Sequence, residues 1–304
     1  MKRALSISVG SVERDHKVVV SLLGQEVEIE RKGTDGDFDK AAALYTEYDG
    51  KVDAFGVGGV DLGVSLGDVH YPLYDALRLV KGVTKTPYTD GRGLKNTLER
   101  RVIPFIEARI GDEIQPKRAL NCTGSDRFGL ACSFFDAGYK TENVVFGDLM
   151  FALGLPIPIR GGPPAIIRLA KILMPIVGRL PMSFLYPTGT DQEKHTPKFV
   201  KWYNWATVIA GDCIYVKRYS PARMDGKIVV TNTTTARDVE IFRERGVKYL
   251  VTTTPRFEGM RSFGTNATEA ALIAVSGKGR PLTYAELDVL IDELKMEPTI
   301  LKLN

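Results

Sequence analysis

The sequence predicts an α/β protein built on mainly parallel sheets, and three observations carry that prediction. Short apolar runs alternate with helical patterns through both halves of the chain, and few linkers interrupt them. Two of the runs, Val144 to Phe146 and Val208 to Ala210, end in Gly-Asp. Others stop at glycine or threonine, which places polar groups at the carboxyl edge of a sheet, where open α/β sheets bind ligands. We expect two α/β domains: a substrate domain over residues 1–109, then a Rossmann-like domain over 110–304. An apolar helical insertion is expected at about 151–200, and the cleft between the domains is expected to hold the site.

At 304 residues the chain is long enough for two cores. A net charge of +4 is small and scattered, so composition gives no reason to expect a nucleic-acid partner. Cys122, Cys132 and Cys213 lack C-x-x-C spacing, and His16, His70 and His195 are far apart, so neither a disulfide framework nor a zinc site is expected. The apolar run in the opening MKRALSISVGS is too short for a signal peptide, and a cytoplasmic location is expected.

Taken in order, Ala4 to Val9 reads as a first strand. His16 to Leu23 and Glu26 to Arg31 read as a hairpin turning at Gly24-Gln25. Asp37 is placed to cap a helix from Phe38 to Tyr48. The strand Val52 to Val57 runs into Gly58-Gly59-Val60-Asp61, where glycines let backbone approach a ligand and Asp61 supplies a polar group. The alternative for this stretch is a plain tight turn. A helix is expected over Tyr71 to Val80, and another from Leu94 to Ala108, opened by Tyr88-Thr-Asp90-Gly91-Arg92-Gly93. Asp90 is either an N-cap or an active-site acid, and Lys95 adds positive charge near it.

Lys117 to Asp148 reads as strand, glycine turn, helix, glycine and strand. The turn is Gly124-Ser125-Asp126-Arg127-Phe128-Gly129, two glycines of a dinucleotide fingerprint with Asp126 at its middle position. Such a turn aims backbone amides and a helix dipole at one point, which suits a phosphate. Asp148, about 20 residues on, stands where an acid accepts from an adenosine ribose. The other reading is a βαβ unit whose glycines serve packing.

The order of these parts resembles the shikimate/quinate 5-dehydrogenase family, through Thr89-Asp90-Gly91-Arg92-Gly93 and the following strand–turn–helix. The resemblance implies an N-terminal substrate domain, a Rossmann domain binding NAD or NADP, and a hydroxyl-handling role for Asp90.

Phe151 to Pro187 is strongly apolar and punctuated by prolines. Arg168, Lys171 and Arg179 fall on one side of a helix over 165–180. A subunit interface, as in a homodimer through 165–180, and a lid are favoured over a membrane-surface helix. In the last third, Lys227 to Val230 and Lys248 to Val251 read as strands delivering Asn232, Thr233 and Thr254 to the sheet edge. Arg261 precedes a helix over 267–275, and Thr283 and Glu286 form a capping box for the last helix.

The resulting expectation is an NAD(P)-dependent oxidoreductase acting on a small hydroxylated substrate, with an acidic one as an option. Asp90 and Asp61 are the expected catalytic groups. Gly124, Ser125, Asp126, Arg127, Gly129, Asp148, Asn232, Thr233 and Thr254 are expected at the cofactor. Gly58, Gly59, Lys95, Asp212 and Arg261 are expected at the substrate. The alternative is a Rossmann-like transferase, lyase or hydrolase using the strand-end acids, with Mg²⁺ as an option.

Overall fold

The computed structural model describes residues 1–182, 195–255 and 263–304. Two mainly parallel sheets organise the chain. The first is built from β1 (Lys2–Ser8), β2 (His16–Leu22), β3 (Gln25–Gly33), β4 (Ala54–Gly58) and, beyond a small β5–β6 ribbon (Gly63–Leu66, Val69–Pro72), β7 (Tyr88–Thr89). Its order is β2-β3-β1-β4-β7, with only β2 antiparallel. The second contains β8 (Ala119–Asn121), β9 (Val144–Phe146), β10 (Val208–Ala210), β11 (Ile228–Thr231), β12 (Tyr249–Thr252) and β13 (Thr299–Lys302). Its order is β13-β12-β11-β10-β8-β9, with only β13 antiparallel.

In each sheet the first parallel strand lies between the second and the third, so the winding reverses beside β1 and again beside β8. A crevice opens at such a reversal. The second sheet therefore runs second-first-third-fourth-fifth, the flavodoxin-like order, whereas the dinucleotide-binding order is third-second-first-fourth. The α/β class and the mainly parallel sheets stand as expected, and the second sheet does not have the dinucleotide-type order.

Local differences from the expected elements have local causes. The hairpin turns at Leu23-Gly24, one residue earlier than expected, because both have positive φ (51° and 71°), as a two-residue type I′ turn requires. The expected helix from Tyr71 is instead the end of β6 followed by a short turn, Ala76–Val80. Pro72 biases Tyr71 toward an extended backbone. The helix expected from Leu94 to Ala108 is broken into α2 (Arg92–Asn96) and α3 (Val102–Ile110), joined by a 3-10 turn. Pro104 has no N–H, and its ring would meet the Arg100 carbonyl in an unbroken helix. α1 (Phe38–Tyr48) starts as expected, with Asp37 accepting from the Lys40 amide.

Helix α4 (Phe128–Asp136) links β8 to β9, and a short α5 (Asp148–Phe151) follows β9. Next comes α6 (Pro163–Val177). Then α7 (Val200–Trp205), α8 (Cys213–Tyr219) and α9 (Ala236–Glu244) accompany the remaining strands. Helix α10 (Thr265–Ser276) returns to the first sheet and lies on β1, β3 and β4. It is buried almost all round, and its entry presses so close that a Cβ on Gly56 would stand 2.8 Å from the Asn266 carbonyl oxygen. α11 (Tyr284–Glu293) carries the expected Thr283–Glu286 capping box.

Candidate ligand-binding cleft

The carboxyl ends of both sheets line one cleft of about 180 Å³, roomier about tenfold than the ~10–15 Å³ a single water needs. From the first sheet come Ser6 and Ser8 of β1, the Gly58-Gly59 turn, Asp61 and Asp90. The second sheet contributes Asp126, Arg127, Asp212, Asn232 and Thr233, and α10 adds Asn266. The Gly58-Gly59 turn is forced by close approach: Gly59 has φ of 77°, and a Cβ there would lie 2.9 Å from the Gly10 amide nitrogen.

The wall is held by two ionic clusters. The Lys95 ammonium, on α2, donates to Asp61 Oδ1 at 2.7 Å and to Asp126 Oδ1 at 2.6 Å. The two carboxyls, one from each sheet, also hydrogen-bond each other. Two carboxylates in contact do not both ionise readily. Burial pushes Asp61 well up, with Lys95 opposing and Asp126 adding to the rise. Burial also works against Asp126, but Lys95 and Arg127 outweigh it and hold that carboxyl far below its usual range. Lys95 stays charged because the two acids overcome its own desolvation.

In the second cluster Arg127 donates to the fully buried Glu99 and, at 2.9 Å, to Asp212 Oδ2. Asp212 has three tasks. It accepts from Arg127, takes the Asn232 amide at 2.8 Å, and caps α8 through the Ile214 amide at 2.9 Å. Asn232 in turn accepts from the Cys213 amide at 3.2 Å. Asp90 also serves as a tie, accepting from the Leu62 amide at 2.9 Å and the Arg92 amide at 3.2 Å. One side of the cleft is less polar: His16 stacks on Phe263 with centroids 4.1 Å apart, and Tyr215 lines the wall.

Of the residues expected at a site, Asp61, Asp90, Lys95, Asp126, Arg127, Asp212, Asn232, Thr233, Gly58 and Gly59 meet in this cleft. Others do not. Gly124 and Ser125 turn their amides onto the Asp148 carboxylate, at 3.0 and 2.7 Å, so a side chain of the protein fills the expected pyrophosphate position. Asp148 is thereby a lock on that turn and not a ribose acceptor. Gly129 serves close packing, since a Cβ there would strike the Lys95 carbonyl oxygen at 2.1 Å. Thr254 donates to the Asn232 carbonyl and is fully buried. Arg261 lies outside the described residues. Among the described residues no three metal-ligating side chains form a group, and the strand-end acids are engaged by Lys95, Arg127 and backbone amides. The structure also brings Ser6, Ser8, His16, Tyr215 and Asn266 to the cleft, which the sequence reading passed over. Ser6 and Ser8, small polar residues on a buried strand, were the available signal.

With this geometry established, family membership follows from sequence comparison. A profile described as a domain of unknown function, DUF8754, matches residues 93–303. The chain belongs to that family. A second profile, DUF8753, also a domain of unknown function, matches residues 3–90 of this DUF8754 protein. No curated protein sequence matches it significantly. Similar solved structures include a Mycobacterium smegmatis protein in complex with β-D-fucofuranose, 11% identical, with 100% of each chain covered and a TM-score of 0.34. A solute-binding protein of an ABC transporter from Burkholderia multivorans is 10% identical over 99% of each chain, with a TM-score of 0.41. A glucose-galactose binding protein from Geobacillus stearothermophilus is 9% identical, covering 99% of this chain and 97% of its own, with a TM-score of 0.36.

The expected membership of the shikimate/quinate 5-dehydrogenase family, and with it the NAD(P)-dependent oxidoreductase, is therefore corrected. The family is DUF8754. The residues present do not fit a dinucleotide either: the amides meant for its phosphates are taken by Asp148, and the strand order is not that of the dinucleotide fold.

Proposed function

We propose that the cleft binds a small, polyhydroxylated, uncharged molecule of the sugar class. The observation that carries this reading is that the two buried cations on the wall are already paired. Lys95 is matched by Asp61 and Asp126, and Arg127 by Glu99 and Asp212. A strongly ionic ligand would have to break these pairs, and breaking a buried pair is costly. A hydroxyl group donates and accepts at once, and the wall offers both: the Asp212 carboxylate, the Asn232 and Asn266 amides and the Ser6 and Ser8 hydroxyls. The Phe263–His16 stack and Tyr215 supply a flat apolar side for the C–H face of a sugar ring.

A thermal-shift panel of neutral pentoses and hexoses, amino acids and dicarboxylates tests the proposal. A ligand at about 100 times its Kd stabilises by about 2.7 kcal/mol, which is readily seen as a rise in Tm. The reading predicts a rise with at least one neutral sugar. A panel in which only charged compounds stabilise the protein would refute it.

A further inference from the structure

We propose that the outer face of α6, with the loop before it, docks on an anionic lipid surface. Helix α6 is two-sided. Ile166, Ala170 and Met174 face the core, while Arg168, Lys171, Ile172, Pro175 and Ile176 are exposed, as is Arg179 just past the helix. Ile172 and Ile176 are 71% and 68% exposed, and Leu155 and Ile157 of the preceding loop are 44% and 52% exposed. Large aliphatics held this far into water, grouped along one stretch, mark an interaction surface.

Charge says what kind of surface. From Leu149 to Met182 the chain has no Asp or Glu, but it carries Arg160, Arg168, Lys171 and Arg179. Among the described residues neither Arg168 nor Lys171 is engaged in an ion pair. A second copy of the same face would set these cations against each other with no acid to offset them, which weighs against a homodimer through this helix. Lipid headgroups supply the negative charge, and the acyl boundary takes the isoleucines while long basic side chains reach outward. With Pro175 inside it, and only 15 residues long, α6 is suited to lying on a bilayer and not to crossing it. Among the described residues no helix is long and apolar enough to span a membrane.

Co-sedimentation of the full chain with vesicles tests this independently of the cleft. Vesicles of equimolar phosphatidylcholine and phosphatidylglycerol should bind the protein at least about tenfold better than phosphatidylcholine alone, and salt should weaken the binding. Ile172→Glu with Ile176→Glu, and separately Arg168→Glu with Lys171→Glu, should each lower binding about tenfold or more. These side chains are exposed, so circular dichroism and Tm should be unchanged. Three results would overturn the proposal. They are a protein that stays in the supernatant with anionic vesicles, folded variants that bind as well as the parent, or a dimeric parent that the Ile172→Glu, Ile176→Glu change dissociates.

Discussion

Glu269 ties the molecule together at a place where pH should be felt. It lies on α10, and its Oε1 accepts from the Thr89 hydroxyl at 2.6 Å while Oε2 accepts from the Leu94 amide at 2.8 Å. The glutamate thus joins α10 to β7 and to the start of α2, the helix that carries Lys95. Burial pushes its carboxyl up to about 7 from an ordinary 4.5, although the Thr89 and Leu94 bonds pull the other way. A folded state that holds a proton more tightly than the unfolded chain gains stability from it at low pH, and loses that gain as pH rises through the folded value. A gap of about 2.5 pH units corresponds to about 3 kcal/mol, given up between about pH 4.5 and 7. Glutamine has the shape of the protonated acid and does not titrate. Urea unfolding of the parent and of Glu269→Gln at intervals from pH 5 to pH 8 should therefore show the parent losing stability relative to the variant by about 2–3 kcal/mol as pH rises. A stability difference that stays constant across that range would refute the reasoning.

Further predictions concern the ionic wall and the filled turn. Lys95→Met leaves Asp126 charged without its main partner and should cost about 3–5 kcal/mol in urea unfolding. Asp61→Asn should cost only about 1 kcal/mol, because burial already favours the neutral form of Asp61. The reverse ranking would show that the proton lies elsewhere. Asp148→Ala should cost about 2–3 kcal/mol by freeing the Gly124 and Ser125 amides. The same variant should gain a stabilisation by sulfate or phosphate that the parent lacks, read as a Tm rise in titration.

The layered α/β class was legible because buried parallel strands and amphipathic helices carry their own periodicity. The caps at Asp37 and at Thr283–Glu286 were legible because capping needs a side-chain oxygen at a fixed place next to the first turn. Strand order was not legible: nothing within β8 records whether β9 or β10 lies beside it. The Gly124 turn shows the limit of motif reading most clearly. The local sequence does make a strand–turn–helix with amides facing one point, as expected. What fills that point is Asp148, from a different strand end, and the same spacing that suggested a ribose contact brings its carboxylate onto the amides. Asp126, the misfit in the fingerprint, is accounted for by Lys95, which is distant in sequence and adjacent in space. Likewise α10 was expected as a helix, but only tertiary structure shows that it returns to the first sheet and brings Asn266 to the cleft.

The central claim is that a neutral hydroxylated ligand sits in the cleft where the two sheets' carboxyl ends meet. Calorimetric titration of the best neutral sugar from the thermal-shift panel, into the parent and into Asn266→Ala, tests it most directly. Asn266 lines the cleft and donates to the Ser6 hydroxyl at 2.7 Å. One-site binding to the parent, weakened about fivefold in the variant by the loss of a hydrogen-bonding group worth about 1 kcal/mol, is the predicted result. Identical heats from both proteins would place the ligand elsewhere and contradict the account.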